Sequence, residues 1–278
     1  MTSLVKTAAG WCVRDAAGTG LLPEGTTLGS LLALPADELA ARAAAVPRSS
    51  AVPGAPLAPV DDDTEVWAAG VTYEVSRAAR MEESGDADVY ARVYEAERPE
   101  LFFKTVGRRV RGPGEAIGVR ADSTWDVPEP ELAVVANAAG EIVGYTVVND
   151  VSSRSIEGEN PLYLPQAKSY RGSCAAGPEI VLADAVADPY TLAITVRIDR
   201  AGAPLWSGET TTARLHRKLP DLVAALYRAD FYPRGVVLAT GTSAVPGPDV
   251  TLEAGDEVTI SIDSVGTLRN PVRRGLFA

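Results

Sequence analysis

The sequence predicts an α+β fold, mostly β, in which mixed strands form a roll or barrel behind a small N-terminal α/β unit. Two segments, 192–198 and 258–262, alternate between apolar and polar residues, which is the pattern of a strand with one buried face. Several other apolar segments have the length of a strand, whereas helical periodicities are few. Many short strands with few helices indicate a β-rich, rolled fold.

A change of composition near residue 60 predicts two parts, a small domain with its linker over 1–60 and a larger domain over 61–278. In the first part, Gly18-Thr-Gly20 predicts a turn, and residues 36–46 predict an alanine-rich helix. Residues 47–56 are rich in proline, glycine and serine and indicate a linker. We expect an exposed linker of this kind to be cut by proteases.

Local patterns predict four elements of the larger part. An apolar strand is predicted over 66–71, and a helix over 88–97. Pro220 suits the first turn of a helix whose apolar residues face inward. Residues 236–239 are apolar throughout and indicate a buried strand, which would end at Thr240-Gly-Thr242.

A hairpin in this part places acidic residues together. Residues 132–136 and 142–148 are apolar, and Ala139-Gly140 between them can form a two-residue turn. With the turn centred there, the residue numbers of each opposed pair add up to 279, so Glu129 faces Asp150. Side chains two residues apart share a face of a strand, which adds Glu131 to the same patch.

Three carboxylates gathered in this way need a physical reason, because like charges opposed across a sheet are destabilising. A hard divalent cation supplies one, since Mg²⁺, Mn²⁺ and Ca²⁺ all take oxygen ligands. The alternative is that one or two of these acids point to solvent. The geometry thus predicts a site for a divalent cation, Mg²⁺, Mn²⁺ or Ca²⁺.

Composition and charge exclude some classes of partner. The 278 residues carry a formal net charge of −11, with a pI of about 4.7, so no nucleic acid partner is expected. The two cysteines, Cys12 and Cys174, make no disulfide framework. The first residues lack a hydrophobic signal region and no apolar run reaches 18 residues, so we expect a cytoplasmic protein without a membrane span.

Beyond the acidic set, several short motifs occur together: Asn149-Asp150, Lys168-Ser169, Gly177-Pro178, Thr240-Gly-Thr242 and Gly266-Thr-Leu-Arg-Asn-Pro271. With Glu129-Pro-Glu131 they resemble the fumarylacetoacetate hydrolase superfamily over about residues 60–273. The resemblance implies a β roll like the C-terminal domain of that family, with Mg²⁺ bound by Glu129, Glu131 and Asp150. It also implies that a 2-oxo acid chelates the metal, and that the chain forms at least a homodimer.

Within the superfamily, the chain is most similar to the dehydratases of 2-keto-3-deoxy sugar acids. Four segments carry this likeness: 70–73, 79–84, 98–104 and 157–168. They imply a metal-dependent hydro-lyase, expected to convert 2-keto-3-deoxy-D-arabinonate to 2-oxoglutarate semialdehyde.

One difference within the superfamily favours a dehydratase. Its hydrolases and decarboxylases usually carry a His three residues after the position that matches Tyr73, and a Glu three residues further on. That pair activates water. This chain has Ser76 and Ala79 at those positions, and its single histidine, His216, lies in a basic segment that we expect at the surface.

The resemblance also implies catalytic roles for two residues. Lys168 is expected at the metal site as the base, and Glu100 in the pocket as the proton donor, or the reverse. The alternatives are a salt bridge between Lys168 and a carboxylate, and a structural ion pair of Glu100 with Lys104 or Arg98. The residues expected to contact the substrate are Tyr73, Lys104, Thr240 and Thr242. The alternative for both threonines is a turn stabilised by their hydroxyls.

The chain departs from the superfamily at Ser155, which follows Ser153-Arg154 where an Asp is usual. That change is expected to alter the surroundings of the metal ligands. It leaves open an enzyme redirected to a related 2-oxo acid. Two further alternatives are a hydrolase or decarboxylase of an acylpyruvate-like compound, and a non-catalytic protein that binds a 2-oxo acid.

Overall fold

The computed structural model of the chain describes residues 1–49, 54–74, 87–228 and 230–275, with the backbone alone for 87–90. Ser76 and Ala79, the positions of the water-activating pair, lie outside the described residues, as does part of the expected linker.

Nine strands form the largest sheet. They are β1 (Ser3–Thr7), β2 (Gly10–Asp15), β3 (Gly18–Leu21), β4 (Glu65–Gly70), β5 (Glu100–Val106), β8 (Pro130–Ala136), β9 (Ile142–Asp150), β11 (Cys174–Leu182) and β14 (Val236–Ala239). Their spatial order is β3-β2-β1-β11-β9-β8-β14-β4-β5. Neighbours are antiparallel except β14 and β4, which are parallel.

Two smaller sheets complete the described β structure. The strands of the five-stranded sheet are β6 (Ile117–Val119), β12 (Ala193–Arg200), β13 (Ala203–Thr211), β15 (Glu257–Ile262) and β16 (Gly266–Arg274). Their order is β13-β12-β15-β16-β6. The two-stranded sheet pairs β7 (Asp126–Val127) with β10 (Ser152–Ser153). The alternating segments of the sequence form β12 and β15, as predicted.

The helices are short. They are α1 (Leu28–Leu32), α2 (Ala36–Ala45), α3 (Ala87–Glu95), α4 (Arg154–Glu159), α5 (Leu164–Lys168) and α6 (Leu219–Tyr227). Pro220 lies in the first turn of α6, and Leu222, Val223 and Leu226 are buried, which confirms the predicted helix. Across the described ranges, no helix combines the length and apolarity needed to cross a bilayer.

Two apolar cores lie on opposite faces of the nine-stranded sheet. Leu132 and Val134 of β8 belong to the core shared with the five-stranded sheet and α6. Ala133 and Val135 belong to the core shared with α1 and α2. Successive side chains of a strand point to opposite faces, so a strand between two cores is apolar at every position, as 132–136 is. The mixed sheets and few helices confirm the predicted, mostly β fold.

The first 60 residues add three strands to one edge of the large sheet. The first of them, β1, pairs with β11 through Ser3↔Val181 and Leu4↔Ile180. A separate domain over 1–60 therefore stays a prediction, and a cut at that boundary would remove the edge of this sheet.

The turn predicted at Gly18-Thr-Gly20 is wrong. These residues begin β3, and the chain reverses at Ala16-Ala17, where Asp15 Oδ1 accepts a hydrogen bond from Ala17 N at 2.8 Å. Glycine is needed at position 20 for a close approach, because a Cβ there would lie 2.1 Å from the carbonyl oxygen of Pro47. In a sequence, glycines that are required for close packing within a strand give the same pattern as glycines that are required for a turn.

Candidate metal centre and active-site pocket

The hairpin of β8 and β9 has the predicted register. The opposed pairs from Pro130↔Asn149 to Val135↔Gly144 all sum to 279, and Asp150 N donates to Glu129 O at 3.0 Å. The predicted two-residue turn is wrong in detail. Ala136 pairs with Ile142, which leaves a longer loop and a register shift at the turn end of the hairpin.

Glu129, Glu131 and Asp150 meet as predicted. Each offers a carboxylate oxygen, these oxygens all lie within 4.8 Å of one another, and all three residues are buried. Burying like charges together is unfavourable unless a cation compensates them. Three converging oxygen ligands suit a hard cation such as Mg²⁺. The donor set thus fits the metal that the sequence indicates.

Glu131 is as deeply buried as Asp150, each with 1% of its surface accessible. Burial raises its pKa well above the usual value, and the charges of Asp150 and Glu129 raise it further. Gly241 N donates to its Oε2 at 2.6 Å. Gly241 takes a φ of 93°, and a Cβ there would lie 1.9 Å from Thr72 Oγ1, so glycine is required where the backbone approaches this carboxylate.

Lys168, the last residue of α5, reaches the same group. Its Nζ lies 2.7 Å from Glu129 Oε2, 3.1 Å from Asp150 Oδ2 and 2.6 Å from Ser152 Oγ. The expected placement beside the metal ligands is therefore present, and so is the alternative salt bridge. The two interpretations describe one arrangement, because Lys168 contacts two carboxylates of the acidic set and also lines the pocket beside them.

Lys104 of β5 lies behind the ligands and is fully buried, with 0% of its surface accessible. Its Nζ pairs with Asp150 Oδ1 and donates to the carbonyl oxygens of Val151, at 3.1 Å, and Lys168. An ammonium group has three protons to donate. Two carbonyl oxygens and the Asp150 carboxylate surround this ammonium group, which favours a supporting role over the substrate contact that the sequence suggests.

Arg154, at the start of α4, is the third cationic residue that contacts the acidic set, after Lys168 and Lys104. Its Nε and one terminal nitrogen lie 3.2 and 3.0 Å from Glu129 Oε1. One turn further along α4, Glu157 Oε2 lies 4.0 Å from Arg154 Nε. The sequence interpretation gave neither residue a role. Their spacing of three residues, shortly after Asp150, is a signal that both face the same way.

Glu100 begins β5, opposite Gly70 of β4. Its carboxylate lies over that glycine, because a Cβ at position 70 would come within 2.1 Å of Glu100 Oε2. A larger residue at position 70 would displace this carboxylate. Glu100 is thus held at the wall of the pocket by a neighbour that has no side chain.

The remaining expected contacts separate into two groups. Thr242 lines the pocket, whereas the Thr240 hydroxyl donates to Leu132 O at 2.7 Å. Tyr73 is buried, and its hydroxyl has no hydrogen-bond partner among the described residues. Burial, with the charge of Glu131 adding to it, raises the pKa of the Tyr73 phenol. Tyr73 and Thr240 thus lie beside the site, and their contact with substrate stays a prediction.

One pocket joins these groups. Its lining combines the three carboxylates of the acidic set with Lys168, Arg154, two further acids and a short apolar wall: Ala69, Gly70, Val71, Glu100, Phe102, Glu129, Glu131, Asp150, Arg154, Glu157, Leu164, Lys168, Gly241 and Thr242. A small anionic molecule that brings oxygen ligands to a metal fits this chemistry.

The structure also describes two single residues that the sequence analysis discussed. His216 is exposed and stacks on Tyr94 with ring centroids 4.3 Å apart, so the expected surface position is confirmed. Ser155 Oγ lies 3.0 Å from Ser123 Oγ and accepts from Thr124 N at 3.2 Å. These contacts join Ser155 to a neighbouring cluster of hydroxyls.

Fold and site define a class of protein, a β roll with a buried oxygen-ligand centre for a divalent cation at the floor of a small pocket. The profile of the family described as "Fumarylacetoacetate (FAA) hydrolase C-terminal" matches residues 65–273. The chain belongs to this family, which confirms the resemblance drawn from its motifs.

Two relatives and one solved structure show which members of the family the chain is similar to. A probable 2-keto-3-deoxyxylonate dehydratase of Haloferax volcanii is 52% identical over 214 residues, 77% of this chain and 73% of the relative. A 2-dehydro-3-deoxy-D-arabinonate dehydratase of Saccharolobus solfataricus is 46% identical over 217 residues, with the same two shares. A structure of 2-keto-3-deoxy-D-arabinonate dehydratase complexed with magnesium and 2,5-dioxopentanoate has a TM-score of 0.83 and 36% identity over 98% of each chain.

Proposed function

We propose that this chain is a Mg²⁺-dependent dehydratase of 2-keto-3-deoxy sugar acids. Its proposed substrate is 2-keto-3-deoxy-D-arabinonate, which loses water to give 2-oxoglutarate semialdehyde. The observation that carries the proposal is the contact of Lys168 with two carboxylates of a buried metal-ligand set inside one pocket. Relatives named as dehydratases of such acids support it, as does the solved structure that holds magnesium and 2,5-dioxopentanoate, which is the same compound as the expected product.

Glu129, Glu131 and Asp150 are the residues that would hold the metal ion. Bound there, Mg²⁺ supplies a Lewis acid that draws electrons from the 2-oxo group of the substrate and so acidifies its C3–H bond. The contacts of Arg154 with Glu129, of Gly241 with Glu131 and of Lys104 with Asp150 keep the three carboxylates in place. Such supporting contacts orient metal ligands.

Lys168 and Glu100 are the proposed catalytic pair. In its uncharged form, Lys168 Nζ takes a proton from C3, and the carboxyl group of Glu100 gives a proton to the hydroxyl that leaves C4, or the two roles are exchanged. Both side chains line the same pocket. The C3–H and C4–O bonds break, a C3=C4 bond forms, and water leaves.

The aldehyde then forms by proton transfers alone. After water has left, the C5 carbon carries a hydroxyl next to the new double bond. Loss of one proton from C5 and of the hydroxyl proton, with protonation of C3 and of C4, converts that alcohol to an aldehyde. No water needs to be activated in this sequence, which agrees with the Ser76 and Ala79 of the chain.

The proposal is tested by incubating purified protein with Mg²⁺ and 2-keto-3-deoxy-D-arabinonate and following the products by NMR. The expected result is an aldehyde signal that disappears when the metal is chelated. In D₂O the product should carry deuterium on carbon, because solvent reprotonates the chain. Release of pyruvate or CO₂ from the substrate would contradict a dehydratase, as would the absence of water loss.

Three further expectations are also proposals. A cytoplasmic location is supported by two buried, free cysteines, which suit a reducing compartment. A homodimer or larger homo-oligomer is supported by the family resemblance, and light scattering of the purified protein would measure it. A catalytic domain over 61–278 is supported by the family match, which begins at residue 65.

A further inference from the structure

We propose that Arg217 is a positioning residue for Glu100. Its guanidinium group fixes the C-terminal end of α3, and with it the short connection through which the chain enters β5 at Glu100. The inference rests on the proposed function in one respect, that Glu100 is taken as a catalytic residue. It adds a residue outside the pocket on which the place of Glu100 depends.

Arg217 binds the end of α3 through backbone carbonyl oxygens. One of its terminal nitrogens lies 2.9 Å from Val93 O and 2.6 Å from Ala96 O, and the other lies 3.3 Å from Glu97 O. The last carbonyl oxygens of a helix have no partner within the helix, and a cation at this end also interacts favourably with the helix dipole. Arg217 therefore joins the last turn of α3 to the two residues that follow it.

The connection between α3 and β5 is too short to absorb a displacement of the helix end. It consists of residues 96–99, and Arg217 binds the first two of them. Pro99 restricts its own φ and the conformation of the residue before it. Glu100 follows directly and pairs with Gly70 at the end of the β4–β5 ladder. A shift at the end of α3 would thus reach Glu100.

The segment 215–217 also holds the neighbouring strand beyond this ladder. Val71, which follows Gly70 and lines the pocket, has a φ of 52°, a left-handed conformation that is strained for a β-branched residue. Such strain persists only where the surrounding structure fixes it. His216 N donates to Thr72 O at 2.9 Å, directly after Val71. One segment therefore contacts the chain that leaves β4 and the chain that enters β5.

His216, the single histidine of the chain, can report whether α3 is in place. Its ring stacks on Tyr94 of α3 with centroids 4.3 Å apart and planes inclined by 23°. Protons that lie over an aromatic ring have NMR signals displaced by the ring current. Movement of α3 away from the segment 215–217 would remove this displacement. The signal can be read whether or not the protein is a dehydratase.

The first measurement is the position of the His216 ring-proton signals at one alkaline pH. Tyr94→Leu gives their position without the stack. Arg217→Gln should move the signals from the wild-type position towards that reference, and Arg217→Lys, which keeps the charge, should move them less. The matched control is Arg214→Gln, which removes the same charge from an exposed position of the same basic segment and should leave signals and turnover unchanged.

The second measurement is turnover of 2-keto-3-deoxy-D-arabinonate. Arg217→Gln should lower kcat by at least about tenfold, because a small misplacement of a reacting group can cost up to about 10² in rate. Mg²⁺ affinity should change by less than about twofold, since Arg217 contacts none of the three carboxylates. Arg217→Lys should recover part of kcat. On the residual turnover of Glu100→Gln, the change Arg217→Gln should cost less than about twofold, because its effect passes through the missing carboxyl group.

An Arg217→Gln protein whose His216 signals stay at the wild-type position would overturn the inference. An unchanged kcat would do the same, as would an equal loss of kcat with and without the Glu100 carboxyl group. If the signals move as expected but the wild-type protein dehydrates no 2-keto-3-deoxy acid, the proposed function fails. The role of Arg217 in fixing the entry to β5 then stands.

Discussion

Lys104 donates a hydrogen bond to the backbone carbonyl oxygen of Lys168, so one buried lysine positions the other. The two ammonium groups also hold opposite oxygens of Asp150, Lys104 at Oδ1 and Lys168 at Oδ2. The strand β5, the helix α5 and Asp150 are thereby joined at one point. Four testable predictions concern residues of this site and the nearby Asp126.

Lys104→Met should destabilise the protein and lower turnover. It leaves Asp150 without one of its two cations and removes the Lys104 hydrogen bond to the Val151 carbonyl oxygen, and breaking a buried pair costs about 3–5 kcal/mol. Urea unfolding measures the loss, and kcat and KM should show that kcat falls more than KM rises. Lys218→Met, at an exposed lysine, is the control and should change the unfolding free energy little. If Lys104 instead contacts substrate directly, KM would carry most of the effect.

Lys168→Ala should abolish turnover by a factor on the order of 10² or more, because it removes the proposed base. Mg²⁺ binding should largely persist, since the three carboxylates remain. Calorimetry with Mg²⁺ and an NMR assay on the same preparation test both halves of this prediction. Retention of most of the activity would assign Lys168 to a structural salt bridge.

Glu131→Gln should have opposite effects on metal binding and on the stability of the metal-free protein. It removes one proposed metal ligand, so Mg²⁺ affinity should fall by at least about tenfold. Losing a residue that only orients a metal ligand already lowers metal affinity by about that factor. It also removes a buried charge that Asp150 and Glu129 repel, so the metal-free protein should unfold at higher urea. Unchanged Mg²⁺ affinity would contradict the ligand assignment.

Asp126 should make stability depend on pH. Burial raises its pKa from 3.8 to about 6, the largest of several influences that include the opposing ion pair with Arg274 at 3.8 Å. The folded state therefore holds this proton more tightly than the unfolded state. The associated stability is fully present below about pH 4 and is lost as pH rises to about 6. A shift of this size corresponds to roughly 3 kcal/mol.

Asp126→Asn removes this titration. Relative to the variant, the wild-type protein should lose stability between about pH 4 and pH 6 and remain offset by a constant amount above that range. Urea unfolding at a series of pH values gives the difference curve. A difference that is flat over this range would show that the carboxyl group has an ordinary pKa in the folded protein.

The acidic set could be predicted from sequence because it depends on one hairpin. Strand side chains alternate between faces, so Glu129 and Glu131 must share a face once they lie on a strand. The predicted register was confirmed although the predicted turn was wrong. The longer loop shifts the pair Ala136↔Ile142 by one residue relative to the predicted register. The irregularity next to this pair restores the predicted register from Val135↔Gly144 onward. A change of register by one residue would move every side chain of the strand to the other face of the sheet, so the three carboxylates would no longer meet.

The sequence by itself determined the β-rich fold class, the helix at Pro220, the hairpin register and the three carboxylates, because each depends on a local periodicity or a short pairing. Only the tertiary structure decided which groups support and surround those carboxylates. Gly241 meets Glu131 across 110 residues of sequence, and Lys104 meets Lys168 across 64. Contacts of this kind arise where the sheet brings distant strands and a helix together, and no local spacing encodes them. The same holds for Glu157, whose place in the pocket follows from the packing of α4 against the metal-ligand set.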